Sequence, residues 1–230
     1  MRKRLTALLL TALMLLLPLC ASASAFDIKH TIAYMDSCFT CGCSRGGTGT
    51  MISRYGLITA AHNLYCPTHA KPLKSCNFYF GAKSAGSCWY AYSGKFTYRV
   101  YDTFQNGYSS KNDIGYVVFD TPVGDETGWC ASWAANDHDI HEEYMNVYAY
   151  DETRHLQSVF SIQFMLDSTR IYWDEWISGT DGGPVTFWWE GMEYPTVVAV
   201  YTSHDAQGNG YGRRLTDDIF RDMRLDGAFD

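Results

Sequence analysis

Proline is scarce, six in 230 residues, which is too few for an extended proline-rich linker or a collagen-like chain. Charged residues make up only 19%, and no tract is of low complexity, so the composition is not that of a disordered protein. No self-similarity appears at a period of about 20–50 residues, which excludes a solenoid. Positive charge is also short: 18 Lys and Arg stand against 25 Asp and Glu, for a formal charge of −7. Such a chain is poorly suited to phosphate backbones or anionic lipid. What is abundant is aromatic residues at 16%, including 17 Tyr, together with 20 Gly in a 47% hydrophobic chain. That mixture suits pleated strands joined by tight turns better than a helical bundle.

The first 25 residues read as a secretory signal. Met1-Arg2-Lys3-Arg4 is a basic start, Leu5 to Leu19 an apolar run, and Ala23-Ser24-Ala25 a small-x-small cleavage site. The apolar run is short for a membrane span. Leu19 before Cys20 lacks the small residue that a lipoprotein signal needs. The expectation is a secreted or periplasmic protein, with no membrane association after cleavage. Cleavage removes three positive charges and no negative ones, leaving the domain more acidic still.

Seven cysteines remain after Cys20: Cys38, Cys41, Cys43, Cys66, Cys76, Cys88 and Cys130. Export makes disulfides the first expectation, and the odd count points to a free thiol or a disulfide-linked partner. The alternative for the Cys38/Cys41/Cys43 cluster is zinc, with His30 or His69 as a fourth ligand. The disulfide reading is preferred, so no metal or other cofactor is expected.

β-rich runs recur at Thr48–Ile52, Leu57–Ala60, Asn77–Phe80, Trp89–Tyr92, Lys95–Tyr101, Ile114–Phe119, Tyr144–Tyr150, Ser158–Met165, Val185–Trp189, Thr196–Tyr201 and Tyr211–Leu215. Arg54-Tyr55-Gly56 and Glu190-Gly191 read as turns. This spacing predicts an all-β barrel or sandwich. One helix is predicted at the end, with Thr216 as N-cap and Ile219, Phe220 and Met223 sharing a face. A composition break from Thr121 to Asp139 reads as the connection between two halves.

Three segments carry the chemistry. They are Gly49-Thr50-Met51-Ile52-Ser53 with Leu57-Ile58-Thr59-Ala60-Ala61-His62, then Asn112-Asp113-Ile114-Gly115-Tyr116-Val117, then Ser178-Gly179-Thr180-Asp181-Gly182-Gly183-Pro184-Val185. Alone, each has a bland account as a packed His, a capping Asp or a glycine bend. In this order they resemble the trypsin/chymotrypsin-like serine peptidases, whose triad template runs His, Asp, nucleophile. The closer resemblance is to the bacterial glutamyl-endopeptidase-like branch, through Ala199-Val200-Tyr201 and Tyr211-Gly212-Arg213-Arg214-Leu215-Thr216 before the closing helix. It spans about Gly47 to Met223. It implies two six-stranded antiparallel β-barrels, about 26–125 and about 135–230, with a short C-terminal helix and an active site in the cleft between them.

Carried over residue by residue, His62 matches the general base and Asp113 the residue that orients it. The N–H groups of Gly179 and Asp181 match the oxyanion hole. The nucleophile position is Asp181, not Ser. A carboxylate gains nothing from a neighbouring base, and its attack on an amide would give a less stable mixed anhydride. Removing a triad nucleophile costs roughly a millionfold in turnover. Ser178 and Thr180 stand close by but out of register.

Further departures agree with a changed role. Thr180 takes the place of the Asp that pairs with a newly cut N-terminus. Tyr201 replaces the His of the glutamyl endopeptidases' primary pocket, which speaks against preference for an acidic side chain. Arg213 is the remaining cation for a substrate carboxylate, its bland reading being a solvated charge at a barrel rim. Asn63 stands where a Cys often follows the catalytic His, and the resemblance makes Cys66 the candidate for a bridge to the Cys38–Cys43 cluster. His138-Asp139-Ile140-His141-Glu142 and Trp188-Trp189 read more simply as a solvated loop and as strand residues on opposite faces. The expectation is a pseudoenzyme that binds a peptide or protein ligand, and no nucleic acid, through the cleft. The alternative is an active secreted serine endopeptidase with an altered or introduced nucleophile.

Overall fold

The computed structural model describes residues 26–229 except 85, 141, 142, 176, 180 and 189–193, with the backbone alone at 163–166. The signal-like segment, Thr180, His141, Glu142, Trp189 and the Glu190-Gly191 turn therefore lie outside the described residues. The chain folds into two sheets, antiparallel except where the short strand Ala131–Ser132 pairs with Thr196–His204, each curled towards a barrel. The first contains β1 (Ile32–Phe39), β2 (Ser44–Met51), β3 (Gly56–Thr59), β4 (Tyr65–Cys66), β5 (Lys71–Phe80), β6 (Tyr90–Tyr92), β7 (Phe96–Val100) and β8 (Gly115–Phe119). The second contains β9 (Ala131–Ser132), β10 (Tyr144–Tyr150), β11 (Leu156–Asp167), β12 (Arg170–Trp173), β13 (Pro184–Phe187), β14 (Thr196–His204) and β15 (Gly210–Arg214).

Six strands of the first sheet run in the order β5-β1-β2-β3-β8-β7, with the short β4 and β6 added on β5. In the second sheet β13 pairs with both β10 and β14, so β13-β10-β11-β12-β15-β14 closes into a six-stranded ring. Closure leaves these strands no free edge. Two strands escape a reading by alternation. β1 lies between β2 and β5 and is buried on both faces along its first half, so it has no two-residue period there. β12 is only four residues long, and its inward pair is Ile171 and Trp173.

Each barrel has its own apolar filling, and a third cluster joins them. Phe78, Phe96, Phe119 and Tyr92 interlock inside the first, with the Phe78 ring 5.0 Å from Phe119 and 5.3 Å from Phe96. The second packs Trp173, Tyr201, Val147 and Val185. Between them, Ile58 and Tyr116 meet Val197 and Val200. The closing helix Asp217–Leu225 lays Ile219, Phe220 and Met223 over this seam. Thr216 occupies the N-cap position, but its side chain makes no capping hydrogen bond. The connecting segment touches both sheets, with Cys130 N–H donating to Met51 O and Trp133 N–H to Val197 O, each at 2.9 Å.

The disulfides expected from export are not formed: all seven described cysteines are free thiols. Position gives the reason for two of them. Cys76 and Cys130 are buried, each with its Sγ within hydrogen-bond reach of a hydroxyl, that of Ser37 and that of Thr31. Burial pushes both thiols up to about 12.

The aromatic cluster inside the first barrel carries a direct expectation. Phe78→Ala should destabilise the protein by about 3–5 kcal/mol, because a rigid barrel cannot collapse onto the cavity. A denaturant titration read by tryptophan fluorescence would check it. A cost under about 1 kcal/mol would mean that the barrel interior is loosely packed.

Candidate active site

Strand register brings His62 to Asp113. β3 and β8 are antiparallel with Thr59 opposite Gly115, so the residues just after β3 face those just before β8. His62 sits in the one-turn 3₁₀ segment Ala61–Asn63, packed through Ala60 and Ala61, both fully buried. Asp113 follows a second such turn, Ser110–Asn112. Its carboxylate accepts twice from one residue: from the His62 backbone N–H at Oδ1 (3.0 Å) and from ring Nδ1 at Oδ2 (2.6 Å). Both side chains are more than nine-tenths buried. This pair fixes ring orientation and leaves Nε2 to face the cleft.

Nε2 faces a second carboxylate. Asp181 Oδ2 lies 3.3 Å away on a side chain that is about one-fifth exposed. The loop bearing Asp181 comes from the second barrel and is gripped by the first. The Asp181 carbonyl accepts from Thr48 N–H at 2.9 Å and from Asn63 Nδ2 at 2.8 Å. Asn63 Nδ2 also donates to Thr59 Oγ1, which donates in turn to the Thr48 carbonyl at 2.6 Å. Gly182 follows with φ +104°, and a Cβ there would lie 2.1 Å from the Thr48 carbonyl oxygen. Only glycine satisfies both the dihedral and the close approach.

The remaining candidates are placed as follows. Among the described residues, no protein acceptor takes the N–H of Gly179 or Asp181. Ser178 is exposed and has no hydrogen bond to His62 among the described residues. Tyr201 is fully buried beside Trp173, its hydroxyl 3.1 Å from His204 Nδ1 and 3.5 Å from the Ile177 carbonyl. Arg213 points elsewhere, donating from Nη1 to the carbonyls of Arg214 (2.6 Å) and Thr169 (3.3 Å). It lines a groove of about 270 Å³ with Tyr101, Asn112 and Asp222 beside the closing helix. The structure thus brings His62, Asp113 and Asp181 together and leaves Arg213 outside that group. The His138 side chain is exposed and lies 3.9 Å from a carboxylate oxygen of its neighbour Asp139, while its backbone N–H donates to Asn136 Oδ1 at 2.9 Å.

Sequence reasoning missed Thr48 and Thr59, and it read Asn63 only as a replaced cysteine. In the sequence Thr48 and Thr59 are only threonines within β-rich runs; their complete burial, which marks them, is visible in the fold alone.

Electrostatics set the charge state of the site. Burial of the His62 ring opposes its charge, but the adjacent carboxylates of Asp113 and Asp181 outweigh it. Together they raise His62 to about 9. At neutral pH the ring is therefore an imidazolium held between two carboxylates. An imidazolium accepts no proton and cannot serve as a general base.

With this geometry in place, the fold can be assigned: it is that of the chymotrypsin-like serine peptidases. The chain aligns with a Glu endopeptidase at a TM-score of 0.73 and 16% identity, over 90% of this chain and 95% of that one. It aligns with the thermostable serine protease AL20 from an extremophilic microorganism at 0.72 and 12%, covering 88% and 99%. It also aligns with the scabies mite inactivated protease paralogue S-I1 at 0.66 and 12%, covering 88% and 97%. No family model matches the sequence, and no curated protein matches it.

The charge arrangement gives a checkable pH dependence. A raised folded value means that the His62 charge contributes its stability in full below about 6.5 and loses it as pH rises through about 9. An NMR titration of the His62 ring should give a midpoint near 9, and Asp181→Asn should lower it. An unchanged midpoint in that variant would show that Asp181 does not act on the ring.

Proposed function

We propose that this protein is a secreted homologue of the chymotrypsin-like peptidases that has lost catalysis and binds peptide or protein ligands through the retained cleft. One observation carries the reading: the group facing His62 Nε2 at 3.3 Å is the carboxylate of Asp181 rather than a hydroxyl. Two obstacles to acyl transfer follow. A carboxylate has no proton for His62 to remove, and its acyl product is an anhydride. The base itself is held in its charged form at neutral pH, because the Asp113 carboxylate and, to a smaller extent, that of Asp181 outweigh the burial of the ring.

Other parts of the machinery support descent from a catalytic arrangement and retention of a cleft. The His62–Asp113 pair, the glycine-rich loop and the N–H groups of Gly179 and Asp181, which have no protein acceptor among the described residues, are what a bound carbonyl would meet. The proposal of export rests on residues 1–25. Among the described residues no helix is long and apolar enough to cross a membrane. The fold by itself does not choose between activity and its loss, since similar structures include proteins described as proteases and one described as inactivated.

Restoring the hydroxyl tests the reading. The unaltered protein should hydrolyse no peptide or ester above background. Asp181→Ser should gain measurable turnover, because it supplies the nucleophile and removes one of the two carboxylates that favour the charged ring. Activity in the unaltered protein that disappears in His62→Ala would sink the proposal in favour of an active endopeptidase. Affinity selection of displayed peptides on the inactive form, with competition by a peptide aldehyde, would report on ligand binding in the cleft.

A further inference from the structure

A second cluster of chemically capable side chains lies outside the cleft, at one end of the first barrel. Cys41 and Cys43 flank Gly42 in the turn between β1 and β2. Cys66 ends β4, and His69 sits in the turn from β4 to β5. One ligand atom from each of the four lies within 4.8 Å of all the others. His69 Nδ1 is 3.4 Å from Cys43 Sγ and 3.6 Å from Cys66 Sγ.

These separations discriminate between the two chemistries open to clustered thiols. A disulfide places its sulfurs about 2.05 Å apart, and no such bond joins any pair here. It would also leave the third thiol and the imidazole without a role. A tetrahedral zinc with Zn–S near 2.3 Å and Zn–N near 2.0 Å holds a ligand sulfur and nitrogen about 3.5 Å apart. The observed 3.4 and 3.6 Å bracket that edge length.

The backbone is built to keep the four together. Phe39 N–H donates to Cys43 O and Gly42 N–H to Phe39 O, each at 2.9 Å, closing a tight turn on which both thiols stand. Gly42 adopts φ +89°, which suits glycine at that turn. Thr40 N–H reaches across to the Pro72 carbonyl at 3.1 Å, while Tyr65 and Cys66 pair with Pro72 and Lys71. The two turns are thus hydrogen-bonded to a common strand. The other candidates from the sequence are engaged elsewhere: the His30 ring stacks on Trp89 at 4.3 Å, and Cys38 Sγ lies against the Phe39 carbonyl.

We propose that Cys41, Cys43, Cys66 and His69 form a structural zinc site, with three thiolates and the His69 Nδ1 as a closed set of four protein ligands. Zinc is favoured because a tetrahedral thiolate-rich donor set suits it better than calcium or magnesium, which take oxygen ligands. Binding displaces the three thiol protons to solvent and requires His69 in the tautomer protonated at Nε2. With all four positions filled by protein, no site is left for substrate. Its role is to tie the β1–β2 turn to the chain leaving the His62 segment.

The test uses the mature protein purified with zinc present and without chelator. Elemental analysis should find about one zinc per chain. Cys41→Ser, Cys66→Ser and His69→Ala should each lower zinc occupancy roughly tenfold or more at limiting metal. Cys38→Ser and Cys88→Ser should leave it unchanged. Should the ligand variants fail to fold, cobalt titration of the unaltered reduced protein decides. The intense visible bands of tetrahedral thiolate-bound cobalt, saturating at one equivalent, support the site. A metal-free protein with a mapped disulfide among Cys41, Cys43 and Cys66 would overturn it. So would zinc that persists in all three ligand variants.

Discussion

The grip of the first barrel on the Asp181 carbonyl is the constraint on which the site depends. Thr48 N–H and the Asn63 amide both donate to that one oxygen, and Thr59 connects the two donors. All three residues are fully buried, where an unmade hydrogen bond costs about 1–3 kcal/mol. The loop therefore cannot withdraw without orphaning several polar groups. A further donation from Tyr150 N–H to Thr48 Oγ1 at 3.0 Å binds the same corner to the second barrel. The backbone places whatever side chain stands at position 181 against His62 Nε2. The identity of that side chain then decides the chemistry.

With aspartate there, two carboxylates flank the His62 ring, one on each nitrogen. A histidine flanked by one buried carboxylate is oriented, with its other nitrogen free to accept a proton. Here Asp113 and, at 3.3 Å from the other ring nitrogen, Asp181 together favour the charged ring. The contact between His62 and Asp181 also joins the two halves of the cleft by opposite charge. Asp181 links the second barrel to a His62–Asp113 pair belonging wholly to the first. On the proposed reading, loss of catalysis and preservation of the cleft follow from one physical arrangement.

The proposed zinc site addresses a related mechanical need at the other end of the same segment. The chain leaving His62 passes through Asn63, which holds the Asp181 loop, and Leu64, whose carbonyl accepts from Leu73 N–H at 3.0 Å. It then reaches Cys66. Anchoring that chain in a domain without disulfides limits how far the His62 turn drifts from the loop that it grips.

Much of this was legible along the chain. Catalytic arrangements need particular residue types next to particular local turns, so the segments ending in His62, beginning at Asp113 and centred on Asp181 are visible without coordinates. Strands half exposed to water announce themselves by alternation, and Tyr144–Tyr150 was read with the bounds that β10 has. β1 was not, because a strand covered on both faces has no such period. What tertiary structure alone decided were the pairings between distant segments. They include Asn63 and Thr48 on the Asp181 carbonyl, His69 rather than His30 beside the thiols, free cysteines where export suggested bridges, and Arg213 turned towards the closing helix. Each depends on strand register and on which face of a barrel a side chain occupies, and those are set by contacts between residues far apart in sequence, which leave no local pattern to read.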